Sequence, residues 1–600
     1  MANKYSDRIV ALRNLMREKS IAAVIIPQAD PHLSEYLASH WKLRGWFSGF
    51  TGSAGDLVVT MDHACLWTDS RYFLQAAQQL AGSGIELMKD GLAETPSIAQ
   101  WLLHELKAGT AVGVDGMLMS APALQALKDQ LAVKGISVDC HFDPGVLWTD
   151  RPAMPDGKVY IHELKYAGEP ASSKIAKILA EVHAAHAAST FISALDEIAW
   201  TLNIRCNDVN HTPVATGYLY LSDSARILFI DPVKTDSDVV AYLEGEGVST
   251  LPYGEAASFL GALPAGEKVL VDPAHTSGAV MDILGERAVE CRLSPAAILK
   301  STKNAVQLAG VRQAMVRDGV AIVRSLMEIE KRLAKGKKTT ELDVAEIFHD
   351  NRAKGKNYRD ESFGTIAGYG PHGAIVHYEA DEDSNATLRR EGLLLIDSGA
   401  QYLDGTTDIT RTICLGTPTE EERRDFSLVM KGHIALATMM FPNDTRGAQL
   451  DAIARQYLWR NGLSYLHGTG HGVGHFLGVH EGPQSIRLNY VDAVLKPGMI
   501  TSNEPGLYRS DIHGIRCENL VLCRHAVSNE FGTFLRFETL TLAPFDRKLF
   551  NTEMMTADEI DWVNSYHARV YDLLSPELDD DEKAWLKDAT AELINNELPF

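Results

Sequence analysis

Five side chains able to hold a metal ion follow one another in the later part of this 600-residue chain: Asp397, Asp408, His471, Glu504 and Glu518. They lie in the strings LLLIDSGAQYLDGTTDITRT, HGTGHGVGHFLGVHEGP, TSNEPG and RCEN. Asp397 closes a wholly apolar run, Leu393 to Ile396. A carboxylate at the end of a buried strand is costly unless it is paired or metal-bound. Asp408 stands in TTDITRTI, where Asp408, Thr410 and Thr412 share one face of a strand and Ile409 and Ile413 the other. With AQYLDG as the turn, two antiparallel strands bring both aspartates to one place. Glu504 follows the apolar run GMITSN, and Glu518 lies in the strand-like GIRCENLVL. Four carboxylates and one imidazole aimed at one point repel unless cations sit between them. That is the ligand inventory of a two-metal hydrolytic centre.

The histidine is less determined than the carboxylates. His467, His471 and His475 recur every fourth residue, which would stack them on one helical face. Gly468, Gly470, Gly472 and Gly474 interleave them, and glycine is a poor helix former, so an extended or irregular segment is expected. Spacing alone leaves His471 and His475 both open. A second string, Gly368 to Gly373 (GYGPHG), matches GxGxxG. A dinucleotide fold needs a helix next, whereas the following AIVHY reads as strand. There is no GxSxG elbow and no P-loop.

At this length two to four domains are expected. The formal charge of −22 argues against a nucleic-acid partner, because phosphate binding needs a basic surface. Seven scattered cysteines with no CxxC imply thiols in a reducing compartment rather than a disulfide framework. The first 30 residues show no uninterrupted signal-peptide core, and no apolar stretch is long enough to span a membrane, so a cytoplasmic protein is expected. GDLVVTMDHACLWTD (55–69) and GYLYLSDSARILFID (217–231) share length and an apolar–turn–apolar layout, and each is followed by a short strand ending in Asp, VGVD and VLVD. Two related α/β domains in tandem are expected. Turn-rich TDRPAMPDGK (149–158) and CRLSPAAILKSTKN (291–304) divide the chain into domains 1–152, 153–298 and 299–600. The acidic run Asp579 to Asp581 reads as a solvated helix start.

Together these strings resemble the pita-bread metallopeptidases, and within them the three-domain Xaa-Pro aminopeptidases, also called aminopeptidase P. SEYLASHWKLRGWFSGFTGSAG, LWTDSRYFLQA, LDEIAWTLNIR and FLRFETLTLAPFDRKL carry the resemblance well beyond the metal-site strings. It implies an α/β (α+β) chain: two creatinase-like α/β domains followed by a pita-bread catalytic domain with a carboxy-terminal extension. It implies that Asp397, Asp408, His471, Glu504 and Glu518 are the metal ligands, with His471 chosen over His475 by the pattern HGTGHGVG. It implies substrate-contacting roles for His377, His480 and Arg71, proton movement for His467, and support from Arg516 and Tyr508. Peptides with proline second would be the substrates, and a homodimer the assembly.

Two divalent ions can lower the pKa of a shared water enough to supply hydroxide near neutral pH. Oxygen-rich ligation with one imidazole suits Mn²⁺, and Zn²⁺ or Co²⁺ could also be held. Glu504 is the candidate general base, and His480 and His377 are candidates to stabilise the oxyanion. The competing expectations are a prolidase restricted to Xaa-Pro dipeptides, a catalytically inactive pita-bread binding module, and a creatinase-like non-peptidase.

Overall fold

A computed structural model describes residues 4–594. Within them the chain forms two compact units, one of residues 4–164 and 169–297, the other of 165–168 and 298–594.

The first unit contains two six-stranded sheets. One is built from β1 (Ala23–Ile26), β2 (Asp56–Thr60), β3 (Ala64–Thr68), β4 (Glu86–Lys89), β5 (Ala111–Gly113) and β6 (Ser137–Asp139), in the order β4-β3-β2-β1-β5-β6. The other uses β7 (Ser189–Ile192), β8 (Gly217–Ser222), β9 (Arg226–Ile230), β10 (Ser249–Leu251), β11 (Val269–Val271) and β12 (Ala288–Glu290), in the order β10-β9-β8-β7-β11-β12. Strand for strand, the order and the parallel or antiparallel sense of each pair are the same. The sequence echo therefore reflects two copies of one topology. Side chains alternate across each strand. Val24, Ile26, Leu57, Val59 and Leu66 fill one face of the first sheet, and Ala23, Ile25, Val58, Cys65 and Trp67 fill the other. Burial on both faces is why these strands read as continuous apolar runs.

The second unit opens with α1 (Ala305–Ala334), started by a capping box between Asn304 and Gln307. α2 (Glu341–Ala353), α3 (Glu420–Thr438), α4 (Gly447–Trp459), α5 (Ala557–Leu574) and α6 (Asp580–Ala589) follow. Asp579 caps α6, so the acidic run is a helix start. β13 (Ile366–Tyr369), β14 (Leu393–Ser398) and β15 (Ile409–Cys414) form one antiparallel sheet. A four-stranded sheet takes β16 (Met440–Pro442), β19 (Ile500–Asn503), β22 (Asn519–Asn529) and β23 (Gly532–Thr539) in the order β16-β23-β22-β19. Two short ladders also belong to the unit, β17 (Gly470–His471) with β18 (Ser485–Ile486), and β20 (Gly506–Arg509) with β21 (His513–Arg516). Phe426, Val429, Ile515, Leu540, Phe545, Leu549 and Val563 lie in its main core.

Four local expectations need correction. AQYLDG is not a simple turn but a small hairpin of its own, with Ala400–Tyr402 paired to Gly405–Thr406 and to Tyr358–Glu361. AIVHY is a turn rather than a strand. Asp408 precedes β15 instead of lying within it, and the run containing Glu518 breaks between β21 and β22.

His567 on α5 is fully buried and accepts a hydrogen bond from the Phe545 N–H at 3.1 Å. Burial, then the charges of Arg411 and Arg547, push its pKa from 6.5 down to about 3. The unfolded chain takes up a proton near 6.5 that the folded chain refuses. Stability is thus expected to fall as pH drops below 6.5, by up to about 1.4 kcal/mol per unit from this group. His567→Gln should flatten that fall in melting temperature between pH 6.5 and 5. A slope identical to the parent's would contradict the assignment.

Candidate metal centre

The five sequence candidates come from four segments of the second unit. Asp397 is the last but one residue of β14, opposite Thr410 of β15, and the next pair is Ser398 with Ile409. Asp408 therefore sits just past the end of the same ladder. The Glu518 N–H donates to the Thr410 carbonyl at 3.1 Å, and the Thr410 hydroxyl donates to the Glu518 carboxylate at 2.8 Å. The Glu504 N–H donates to the Thr469 carbonyl at 2.8 Å, which ties it to the histidine segment. His471 Nε2 then lies 3.4 Å from Asp408 Oδ2 and 3.3 Å from Glu504 Oε1. The interleaved glycines have a steric cause. A β-carbon on Gly470 would strike the Ser502 carbonyl, and one on Gly472 the Glu481 carbonyl.

The electrostatics are those of crowded acids. Burial raises the Asp397 pKa against the opposing charge of Arg516. Burial, followed by the charges of Asp408, Glu504 and Asp397, raises Glu518 well above the usual carboxylate range. Glu504 is pushed up to about 7 by burial, with the His471 charge opposing. Burial disfavours the His471 cation, but the hydrogen bond to Asp408 and the charge of Glu504 outweigh it and lift His471 to about 9.

Do these residues suit divalent ions? Asp397 Oδ1 and Glu518 Oε1 are buried oxygens with no hydrogen-bond partner among the described residues. Asp408, His471 and Glu518 each offer a ligand atom, and these atoms lie within 4.8 Å of one another. Orphaned buried carboxylate oxygens are expensive, and a cation that accepts oxygen and imidazole donors removes the cost. The donor set fits.

The remaining predicted residues fall into three groups. Arg516 donates to Asp397 Oδ2 through Nη2 at 2.5 Å and Nε at 3.2 Å, and to the Tyr508 hydroxyl at 2.8 Å. Tyr508 is in turn 2.8 Å from His467 Nε2. A bonded line thus runs Asp397–Arg516–Tyr508–His467. The His480 ring meets the His471 ring edge-on, with centroids 4.3 Å apart. His377 is half-buried, and the preceding Val376 carbonyl accepts from Arg516 Nη2 at 3.3 Å. His475 is buried. Arg71 belongs to the first unit, where the Asp69 carboxylate grips its guanidinium at 2.9 and 2.8 Å and Glu35 lies 3.6 Å away.

Two supporting residues escaped the sequence reading. Arg411 donates to the carbonyls of Glu518 and Thr410 at 2.6 and 3.0 Å and to the Asn519 amide oxygen at 2.8 Å. His433, pushed down to about 3 by burial and then by the Arg411 charge, bonds the Cys517 carbonyl at 3.2 Å, and its own carbonyl accepts from Asn503 at 2.9 Å. Arg411 left a legible signal, a cation between Ile409 and Ile413 on the apolar face of a strand. His433 in a helix left none.

Buried acids gathered on one imidazole, in a unit that follows two sheets of one topology, define a candidate metal centre. The models of the Creatinase/Prolidase N-terminal domain match residues 8–141 and 150–307, that of metallopeptidase family M24 matches 309–525, and that of its C-terminal region matches 533–593. A probable Xaa-Pro aminopeptidase P of Laccaria bicolor is 40% identical over 97% of this chain and 92% of its own length. Aminopeptidase P2 of Arabidopsis thaliana is 39% identical over 96% of this chain and 86% of its own. The crystal structure of an X-prolyl aminopeptidase from Caenorhabditis elegans, described as a cytosolic enzyme with a di-nuclear active site, superposes with a TM-score of 0.95. It is 34% identical and covers 99% of this chain and 100% of its own. The chain belongs to the Xaa-Pro aminopeptidase P family of M24 metallopeptidases, and its activity class is that of a metal-dependent aminopeptidase.

Proposed function

We propose that this protein hydrolyses the first peptide bond of substrates whose second residue is proline, releasing the first residue. Asp397, Asp408, His471, Glu504 and Glu518 would hold two divalent ions, with Mn²⁺ the best match to their donor chemistry. The observation that carries the reading is the approach of His471 to both Asp408 and Glu504 beside orphaned oxygens of Asp397 and Glu518. Bound there, such ions would supply an activated water and polarise the scissile carbonyl. Glu504, beside His471 at 3.3 Å, would take a proton as general base. His480 and His377 donate hydrogen bonds to the oxygen that gains charge at the scissile carbon. Arg516 holds Asp397 in place, and Tyr508 links Arg516 to His467, whose role is proton movement.

The same reading takes the division at 152/153 and 298/299, a cytoplasmic setting and a homodimer. The C. elegans enzyme's description as cytosolic supports the second. Among the described residues no helix is long and apolar enough to cross a membrane. For the third, Trp459, Leu466, Leu488 and Tyr490 are large apolar side chains left exposed on the second unit.

The test is a panel of Xaa-Pro, Xaa-Pro-Pro and longer Xaa-Pro peptides with Mn²⁺ present. Release of the first residue from the tripeptide and longer members is expected. Cleavage confined to the dipeptide would make the protein a prolidase instead.

A further inference from the structure

The string GYGPHG, which matches a nucleotide-binding pattern, is used here to bring two backbones together. Gly370 takes a left-handed φ of +54° at the start of a tight turn, Gly370–Ala374. Gly373 lies against Gly514 on the β20–β21 hairpin that carries Tyr508 and Arg516. A β-carbon on Gly373 would come within 3.1 Å of the Gly514 nitrogen, and one on Gly514 would strike the Gly373 carbonyl.

The segment after that contact is anchored by one side chain. Glu341, the first residue of α2, is fully buried. Its Oε1 accepts from the Tyr369 N–H at 2.8 Å and from His372 Nδ1 at 2.8 Å. Its Oε2 accepts from the Tyr378 hydroxyl at 2.9 Å and from the Ala386 N–H at 2.8 Å. These four donors fill the roughly four acceptor sites of a carboxylate. The His372 ring also stacks on Tyr378, centroids 4.5 Å apart. His377 is therefore flanked by two tethered neighbours. Val376 is bonded to Arg516 on one side, and Tyr378 to Glu341 on the other.

We propose that Glu341 is a positioning residue of the reaction, a clamp on both ends of residues 369–386 that sets where His377 stands relative to Arg516. This rests on the substrate-contacting role proposed for His377. Glutamine cannot replace Glu341. Its amide nitrogen would face the Tyr369 N–H in one orientation and the Ala386 N–H in the other, leaving one buried donor unpaired in either.

The experiment uses the full-length, Mn²⁺-loaded protein and an Xaa-Pro-Pro peptide. Glu341→Gln is expected to lower kcat about 30-fold with little change in KM and unchanged metal content, and His377→Asn to lower it about 100-fold. The double variant should fall no more than about 3-fold below His377→Asn, because both changes act through one group. Tyr378→Phe removes the hydroxyl that bonds Glu341 and the Ser384 carbonyl, keeps the clamp testable if Glu341→Gln folds poorly, and should show a loss of about 5-fold with the same non-additivity. Parent-like kcat in Glu341→Gln, or losses that multiply in the double variants, would overturn the proposal. If the parent does not cleave before proline at all, the functional reading falls by itself, and amide hydrogen exchange judges the clamp. Faster exchange confined to 369–386 in Glu341→Gln upholds it, and unchanged exchange overturns it.

Discussion

Asp408→Ala is expected to reduce kcat/KM by at least about 10³-fold, about 4 kcal/mol of transition-state stabilisation, with the chain still folded and its bound metal reduced. Asp408 is buried just past the end of the β14–β15 ladder, and its Oδ2 is 3.4 Å from His471 Nε2. Its removal takes away both a donor atom and the negative charge that counters a cation, while the ladder's own hydrogen bonds are untouched. Loss of metal should therefore exceed loss of secondary structure. The same metal analysis on His471→Ala and His475→Ala resolves the choice that spacing left open, with the larger loss expected at position 471. Normal turnover in Asp408→Ala, or the larger metal loss at position 475, would reject the assignment.

Removing the metal should have an effect of similar size. Protein stripped with a chelator is expected to be inactive and to recover on addition of Mn²⁺, which an inactive binding module would not do. It should also become less stable, relative to the loaded protein, as pH rises. Without a cation the folded site keeps protons that the unfolded chain has already lost. Glu504 does so between 4.5 and about 7, and His471 between 6.5 and about 9. Binding more protons when folded makes stability greatest below those windows and lets it drain away through them, at up to about 1.4 kcal/mol per unit for each group. Imidazole must be neutral and carboxylates ionised to hold an ion, so the metal takes the place of those protons. The rise in melting temperature on adding Mn²⁺ should accordingly be larger at pH 8 than at pH 6. An equal rise at both, or activity that survives exhaustive stripping, would count against the site.

Much of this was legible because it is local. The hairpins GDLVVTMDHACLWTD and GYLYLSDSARILFID read correctly, since strand alternation and turn residues act over a few positions. The failures were also local, and two of the four share one cause. AIVHY has the composition of a strand, but Glu341 takes Tyr369, His372, Tyr378 and Ala386 as donors and bends the segment into a turn. Glu518 sits in a strand-like run that breaks where its carboxylate is bonded to Thr410. In both places a buried acid overrides propensity, because an unpaired carboxylate costs more than a few residues of ladder.

By itself the sequence determined the candidate donors and the duplicated hairpin, both properties of neighbouring residues. Only the tertiary structure decided which imidazole nitrogen meets which carboxylate, and which buried groups brace them. Those contacts join residues such as Arg516 and Asp397, 119 positions apart. Such pairings arise from how strands are brought together and from the need to satisfy buried charge, and no local pattern encodes either.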